Sequence, residues 1–159
     1  MTVRQSRRSA LLTALLVLVA SGIVRAQTKE LHIGPRIGYN FDLEDVNLGA
    51  QFSVPLFYRV EFYPSFDYYF RSPGSAWALN ADLKWRVFKD NPRWFYLGTG
   101  LNLTNVSISG NGNTDAGWNL FVGAESLRGR IHPFVEGRVT IADHSLLQLQ
   151  AGLNITLGH

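Results

Sequence analysis

At 159 residues the chain is sized for one domain, and with no cysteine it excludes a fold stapled by disulfides. Its formal charge of +3 does not point to nucleic acid. The first 26 residues hold four arginines (4, 7, 8 and 25) and no acid, so the rest carries 11 basic against 12 acidic side chains, a formal −1 with no clustered basic footprint.

In chain order, Arg4, Arg7 and Arg8 precede an apolar run, Ala10 to Val24, that ends in Val24-Arg25-Ala26. This reads as a secretory signal peptide over 1–26, cleaved to leave a single domain over 27–159; the run is too short for a spanning helix. After it the period changes to two. The expected strands are Leu31 to Phe41, Asn47 to Val54, Val60 to Phe70, Ala76 to Phe88, Trp94 to Leu103, Gly117 to Leu127, Ile131 to Ile141 and Leu146 to Leu157. Most match the roughly 9–11 residues that a tilted strand needs to cross hydrocarbon, whereas soluble strands favour about 5–6. Short links (DLEDV, PLFYR, RSPGS, KDNPR, SLRGR, ADHS) join them, and one long loop, TNVSISGNGNTDA, interrupts the series. Short links make an antiparallel up-and-down meander, and eight strands close into a barrel just filled by side chains. The expected fold is therefore all-β, an eight-stranded antiparallel transmembrane barrel. Pro35, Pro64 and Pro133 lack a ladder N–H; Pro133 suits a strand start, and Pro35 and Pro64 are expected to mark bulges.

The last segment, LLQLQAGLNITL, shows the two faces: Leu147, Leu149, Ala151, Leu153, Ile155 and Leu157 on one, Gln148, Gln150, Gly152, Asn154 and Thr156 on the other. Large aromatics gather at strand ends. Tyr39, Phe41, Phe70, Trp77 and Trp118 fall at one height; Phe57, Tyr58, Phe62, Trp85, Phe88, Trp94 and Phe95 fall at the other. Two aromatic girdles flanking an aliphatic band are what a bilayer selects. The polar face carries many glycines and a nearly balanced charge set, Glu61, Asp67, Asp82, Glu125 and Glu136 against Arg36, Lys84, Arg86 and Arg138. A sealed interior needs that balance, because an unpaired buried charge costs several kcal/mol. The apolar face is therefore expected to point to lipid and the polar face inward, with a network built from Arg36, Asp82, Lys84, Glu136 and Arg138 and with Glu61 and Glu125 nearer the periplasmic end.

On this pattern, Leu31 to Leu157 resembles the small eight-stranded outer-membrane barrels, the OmpA-type transmembrane domain and its relatives. The resemblance implies an outer-membrane location, contact with lipopolysaccharide and other outer-membrane lipids, delivery by periplasmic chaperones and the barrel-assembly machinery, and a monomer. It departs from the family at its end, Leu157-Gly158-His159, where an aromatic residue is usual.

Candidate chemistry is sparse. Asp143-His144-Ser145 holds a base and a nucleophile, but adjacent residues point apart, so a polar turn is the simpler reading. His32 and His132 can both face inward, as hydrogen-bonding partners rather than metal ligands. Asp42, Glu44, Asp45, Asp115 and Asp143 fall in expected outer loops; Arg59, Lys89, Arg93, Arg128 and Arg130 fall on the opposite side. The expectation is an integral outer-membrane protein without enzymatic activity, cofactor or open pore, serving structure, surface recognition or adhesion. The rivals are a soluble lipocalin-like carrier with the faces reversed and a membrane-embedded lipid-A-modifying enzyme.

Overall fold

Alternation between apolar and polar side chains gives eight strands, each able to satisfy its backbone only through its neighbours. The computed structural model describes residues 31–87, 93–108, 111–143 and 145–157, without the side chains of residues 93, 94, 108 and 111. The strands are β1 (Leu31–Asn40), β2 (Asp45–Phe57), β3 (Val60–Phe70), β4 (Ser75–Arg86), β5 (Arg93–Ile108), β6 (Asn111–Ser126), β7 (Ile131–Ile141) and β8 (Leu146–Leu157). Each pairs antiparallel with the next, and β8 closes on β1, leaving no sheet edge along the barrel wall.

The register fixes the stagger. From Arg36 one walk around the wall passes Gly49, Asp67, Ala78 and Thr104 and arrives on β6 at Asp115. The opposite walk passes Gly152 and Phe134 and arrives on β6 at Glu125. The two arrivals lie ten residues apart on one strand, and that offset is the shear of the closed barrel. Eight strands with such a shear tilt by roughly 35–45° around a lumen wide enough for side chains only. The end where the described chain begins and stops, at Leu31 and Leu157, is called lower here, and the end where odd strands finish is called upper.

Several strand limits differ from the sequence expectation. β2 starts at Asp45, because Asn40 Oδ1 accepts hydrogen bonds from the Asp42 and Leu43 amides (both 3.0 Å) and tightens the preceding turn. It runs on through Pro55 to Phe57, leaving only Tyr58 and Arg59 as the turn to β3, with Arg59 at φ 69°. The expected long loop is mostly a β-ribbon: Thr104↔Asp115 to Ile108↔Asn111 are paired, and Asn105 Nδ2 donates to Thr114 Oγ1 at 2.7 Å. Gly, Asn, Ser and Thr read singly as loop formers, but two such stretches face to face satisfy each other's backbone groups. The ribbon outlasts its neighbour, since β6 meets β7 only from Trp118↔Ile141 downward.

The prolines lie within the strands without the expected bulges. The register runs through Pro35↔Ala50 and Pro64↔Ala81 on one side. On the other side the ladder skips two rungs and resumes without a shift, between Ile33↔Ile155 and Arg36↔Gly152 for Pro35 and between Gln51↔Ser65 and Val54↔Phe62 for Pro64. A missing N–H thus costs bonding to one neighbour only. Pro133 lies just past the lower end of the β6–β7 ladder, and the one register shift at a proline is between Pro55 and Phe57.

The polar face points inward. Arg36, Asp82, Lys84 and Glu136 are each at most 1% exposed, whereas Ile37 is 55% and Val122 60% exposed. A soluble barrel with its apolar face inside is excluded by this arrangement. Glycines on the inner face leave space that other side chains fill. A Cβ on Gly98 would overlap the Phe121 ring and crowd the Leu83 carbonyl, and one on Gly123 would overlap the Tyr96 ring. At Gly112 on the ribbon the nearest atom to a Cβ is 3.6 Å away. Gly98→Ala is therefore expected to lower stability by about 1–3 kcal/mol, as overpacking does, and Gly112→Ala to stay within about 0.5 kcal/mol. Urea unfolding of both variants in detergent micelles measures the contrast.

Candidate functional site: the charged lumen

Every charged residue expected inside is inside: Arg36, Glu61, Asp67, Asp82, Lys84, Arg86, Glu125, Glu136 and Arg138 are all buried. Their direct ion pairs form three groups, the first two linked by Asn119 Nδ2, which donates to both Asn80 Oδ1 and Asp82 Oδ1 (2.9 Å each). In the first, Arg36 grips Asp67 with two donors, Nε to Oδ1 at 2.8 Å and Nη2 to Oδ2. Asn47 Nδ2 (2.9 Å) and Asn80 Nδ2 (3.2 Å) donate to the same carboxylate.

In the second group Arg138 bridges two acids, with Nη1 2.7 Å from Asp82 Oδ2 and Nη2 2.9 Å from Glu136 Oε1. Asn119 Nδ2 donates to Asp82 (2.9 Å) and the Tyr96 hydroxyl donates to Glu136 (3.1 Å). Two acids thus share one guanidinium, and neutral donors occupy the remaining lone pairs. The third group lies lower and balances two cations against two anions. Lys84 Nζ sits 3.2 Å from Glu61 and 3.3 Å from Glu125; Arg86 Nη1 is 3.0 Å from Glu125, and Arg86 Nε and Nη2 reach Glu61. Asn154 Nδ2 donates to Glu125 at 2.8 Å, and the Ser53 hydroxyl donates to Glu61.

Sequence reasoning did not single out the aromatic layer between these groups. Tyr63, Tyr96 and Phe121 form a buried cluster. Lys84 Nζ lies 4.4 Å from the Tyr63 ring centre and 5.0 Å from that of Tyr96, and Arg138 Cζ lies 4.6 Å from that of Phe121. Cations over ring faces gain the attraction of the quadrupole in a site water cannot fill. The signal was present as parity: Tyr63 is two residues from Glu61, and Phe121 is two from Gly123.

His32 and His132 do meet, ring centres 5.2 Å apart, at the lower mouth. His132 Nε2 lies 2.8 Å from the Gly129 carbonyl oxygen, and Nδ1 is 3.8 Å from Glu125. Among the described residues no three metal-ligating side chains gather into a group that could hold an ion. Asp143 and Ser145 are exposed near the upper turn, and His144 lies outside the described residues. Of the expected loop acids, Asp45 and Asp115 belong to strands, and Asp45 pairs with Arg71 at 3.7 Å.

On the outer face Tyr39, Phe41, Phe70, Trp77 and Trp118 are exposed toward the upper end, and Phe57, Tyr58, Trp85 and Phe95 toward the lower. Phe62 shares their outward parity and is half-buried. Phe88 and the Trp94 side chain lie outside the described residues.

Solved structures place the architecture. The N-terminal β-barrel domain of Pseudomonas aeruginosa OprF is similar at a TM-score of 0.71 and 13% identity, over 80% of this chain and 97% of that one. This chain has the fold of the small eight-stranded outer-membrane barrels. Neisserial surface protein A is similar at a TM-score of 0.58 and 13% identity, over 80% of this chain and 96% of that one. Ail, the attachment invasion locus protein of Yersinia pestis, is similar at 0.50 and 11% identity, over 80% and 97%. No family model and no curated protein matches the sequence.

Removing Arg36 strands Asp67 in a dry interior. Arg36→Ala is expected to cost roughly 3–5 kcal/mol, and Arg36→Met combined with Asp67→Leu less than that, because the double variant leaves no charge unpaired. Urea unfolding midpoints of the two variants in vesicles test the order.

Proposed function

We propose that this chain is an integral outer-membrane barrel without enzymatic activity, closed to solutes, whose role is structural or lies in recognition at the surface through its upper turns and ribbon. The observation that carries the reading is the inversion of faces: a continuous apolar exterior, ringed near both ends by aromatics, around an interior of paired charges. Water offers such an exterior nothing, and exposed apolar patches of this extent mark contact with lipid or protein. A band bounded by aromatic belts fits lipid.

Closure to solutes rests on the lumen. Three ion-pair groups and the Tyr63–Tyr96–Phe121 cluster occupy the space along the axis, and eight strands leave room for little else. The non-enzymatic reading rests on the lumen: its nine charged residues are engaged in mutual ion pairs. Two of the similar barrels are Neisserial surface protein A and the attachment invasion locus protein of Yersinia pestis, which favours recognition at the cell surface as the role of the exposed end.

The protein is expected to fractionate with outer membranes, to need detergent for release and to migrate differently on SDS gels before and after boiling; recovery as a soluble periplasmic monomer contradicts the proposal. Val122 lies on the outer face of β6 between Trp118 and the Phe95↔Ala124 pair. Val122→Arg should lose about 2–4 kcal/mol when folding into lipid vesicles, the cost of a cation at the bilayer midplane. Equal folding of variant and parent would mean that this face does not meet lipid.

A further inference from the structure

Above the ion pairs the lumen is no longer filled. A cavity of about 200 Å³ opens at the upper mouth, between the β5–β6 ribbon and the turns that join β1 to β2 and β7 to β8. Its floor is polar but already committed downward. Thr140 Oγ1 donates to Asn119 (2.7 Å), Asn102 Nδ2 donates to Asn80 (2.8 Å), and Thr104 Oγ1 donates to Asn102 (2.7 Å). The vestibule is therefore blind, and its floor has few polar groups left for a guest.

The walls are aliphatic. Leu43, Val106, Ala142 and Leu146 line the cavity, each half-buried although the mouth faces water. The remaining lining residues are Asp115, whose carboxylate accepts from Asn113 Nδ2 (3.0 and 3.1 Å), and Asp143; among the described residues no cationic side chain lines the cavity. Arg71, at the same end of the barrel, is engaged by Asp45. Apolar walls beside only two carboxylates do not suit a bare divalent cation, which asks for a shell of oxygen ligands. Nor do they suit an anion. They complement a guest with a short hydrocarbon body and one positive charge, and the volume lies below the roughly 300–1,000 Å³ of sites for drug-sized ligands.

We propose that the upper vestibule is a binding site for a small alkylammonium ion, its aliphatic body against Leu43, Val106, Ala142 and Leu146 and its ammonium group held by Asp115 and Asp143. Burial of the hydrocarbon supplies affinity, and the carboxylates select charge.

The test uses the full chain folded in a non-ionic detergent and three probes: n-hexylammonium, n-hexanol and calcium ion, followed by calorimetric titration and saturation-transfer NMR. Hexylammonium is expected to bind saturably, one per barrel, and hexanol more weakly. Asp115→Asn with Asp143→Asn should weaken hexylammonium about tenfold, the scale of a lost charge-assisted contact, and leave hexanol unchanged. Ala142→Phe, which fills the vestibule, should abolish both; Val106→Phe, from another wall, serves if that variant does not fold, with heat-modifiable migration as the check of folding. The proposal is overturned if hexylammonium shows no saturable binding, if the double Asn variant binds it as the parent does, or if calcium binds at the two carboxylates while hexylammonium does not.

Discussion

The width of the lumen governs the rest of the molecule. Eight strands staggered by ten residues enclose a space that side chains fill and bulk water does not, yet the inward face carries nine ion-paired charged residues in its middle and lower parts. A charge in such a space is tolerated only beside its opposite with its remaining hydrogen bonds made. The amide side chains meet the second requirement. Asn47, Asn80, Asn119 and Asn154 each donate to a carboxylate that an arginine or lysine already pairs. Glycine meets the geometric one: Gly98 and Gly123 give up their side chains where the rings of Phe121 and Tyr96 cross the lumen.

Because the interior is occupied by its own groups, it has little capacity to act on anything else. The lower charge group is balanced, the aromatic cluster lies above it, and the Arg138 and Arg36 pairs lie above that. What remains free to meet other molecules is the outer face, the upper turns, the ribbon and the vestibule that the ribbon helps to wall. The fold thus separates stability, inside, from contact, outside and above.

Much of the fold was legible because strand parity is a local property. A period of two assigns a face to every residue once one strand is oriented, and that alone placed Arg36, Asp82 and Glu136 inside and Leu153 outside. Partner choice was not legible. It depends on the stagger, which only the closed register reveals: Arg36 pairs with Asp67 two strands away, and Lys84 joins Glu61 and Glu125 rather than the Asp82–Arg138 group. Parity also held information that composition hid. Tyr63, Tyr96 and Phe121 have the parity of the inward face, which their height along the strand does not show. The ribbon is not legible as strand because its residues favour turns singly, whereas their pairing is a property of both segments together.

The central claim is that the apolar exterior meets a bilayer with its aromatics at two levels near the membrane surfaces. Depth-dependent quenching of tryptophan fluorescence tests it most directly. A Trp94→Phe variant leaves Trp77, Trp85 and Trp118, all on the outward face, Trp77 and Trp85 near strand ends and Trp118 where β6 first meets β7. Folded into vesicles of lipids brominated at defined chain positions, it should be quenched strongly by bromines close to the headgroups and weakly by bromines near the chain ends. Quenching that is absent, or strongest at the chain ends, would contradict the account.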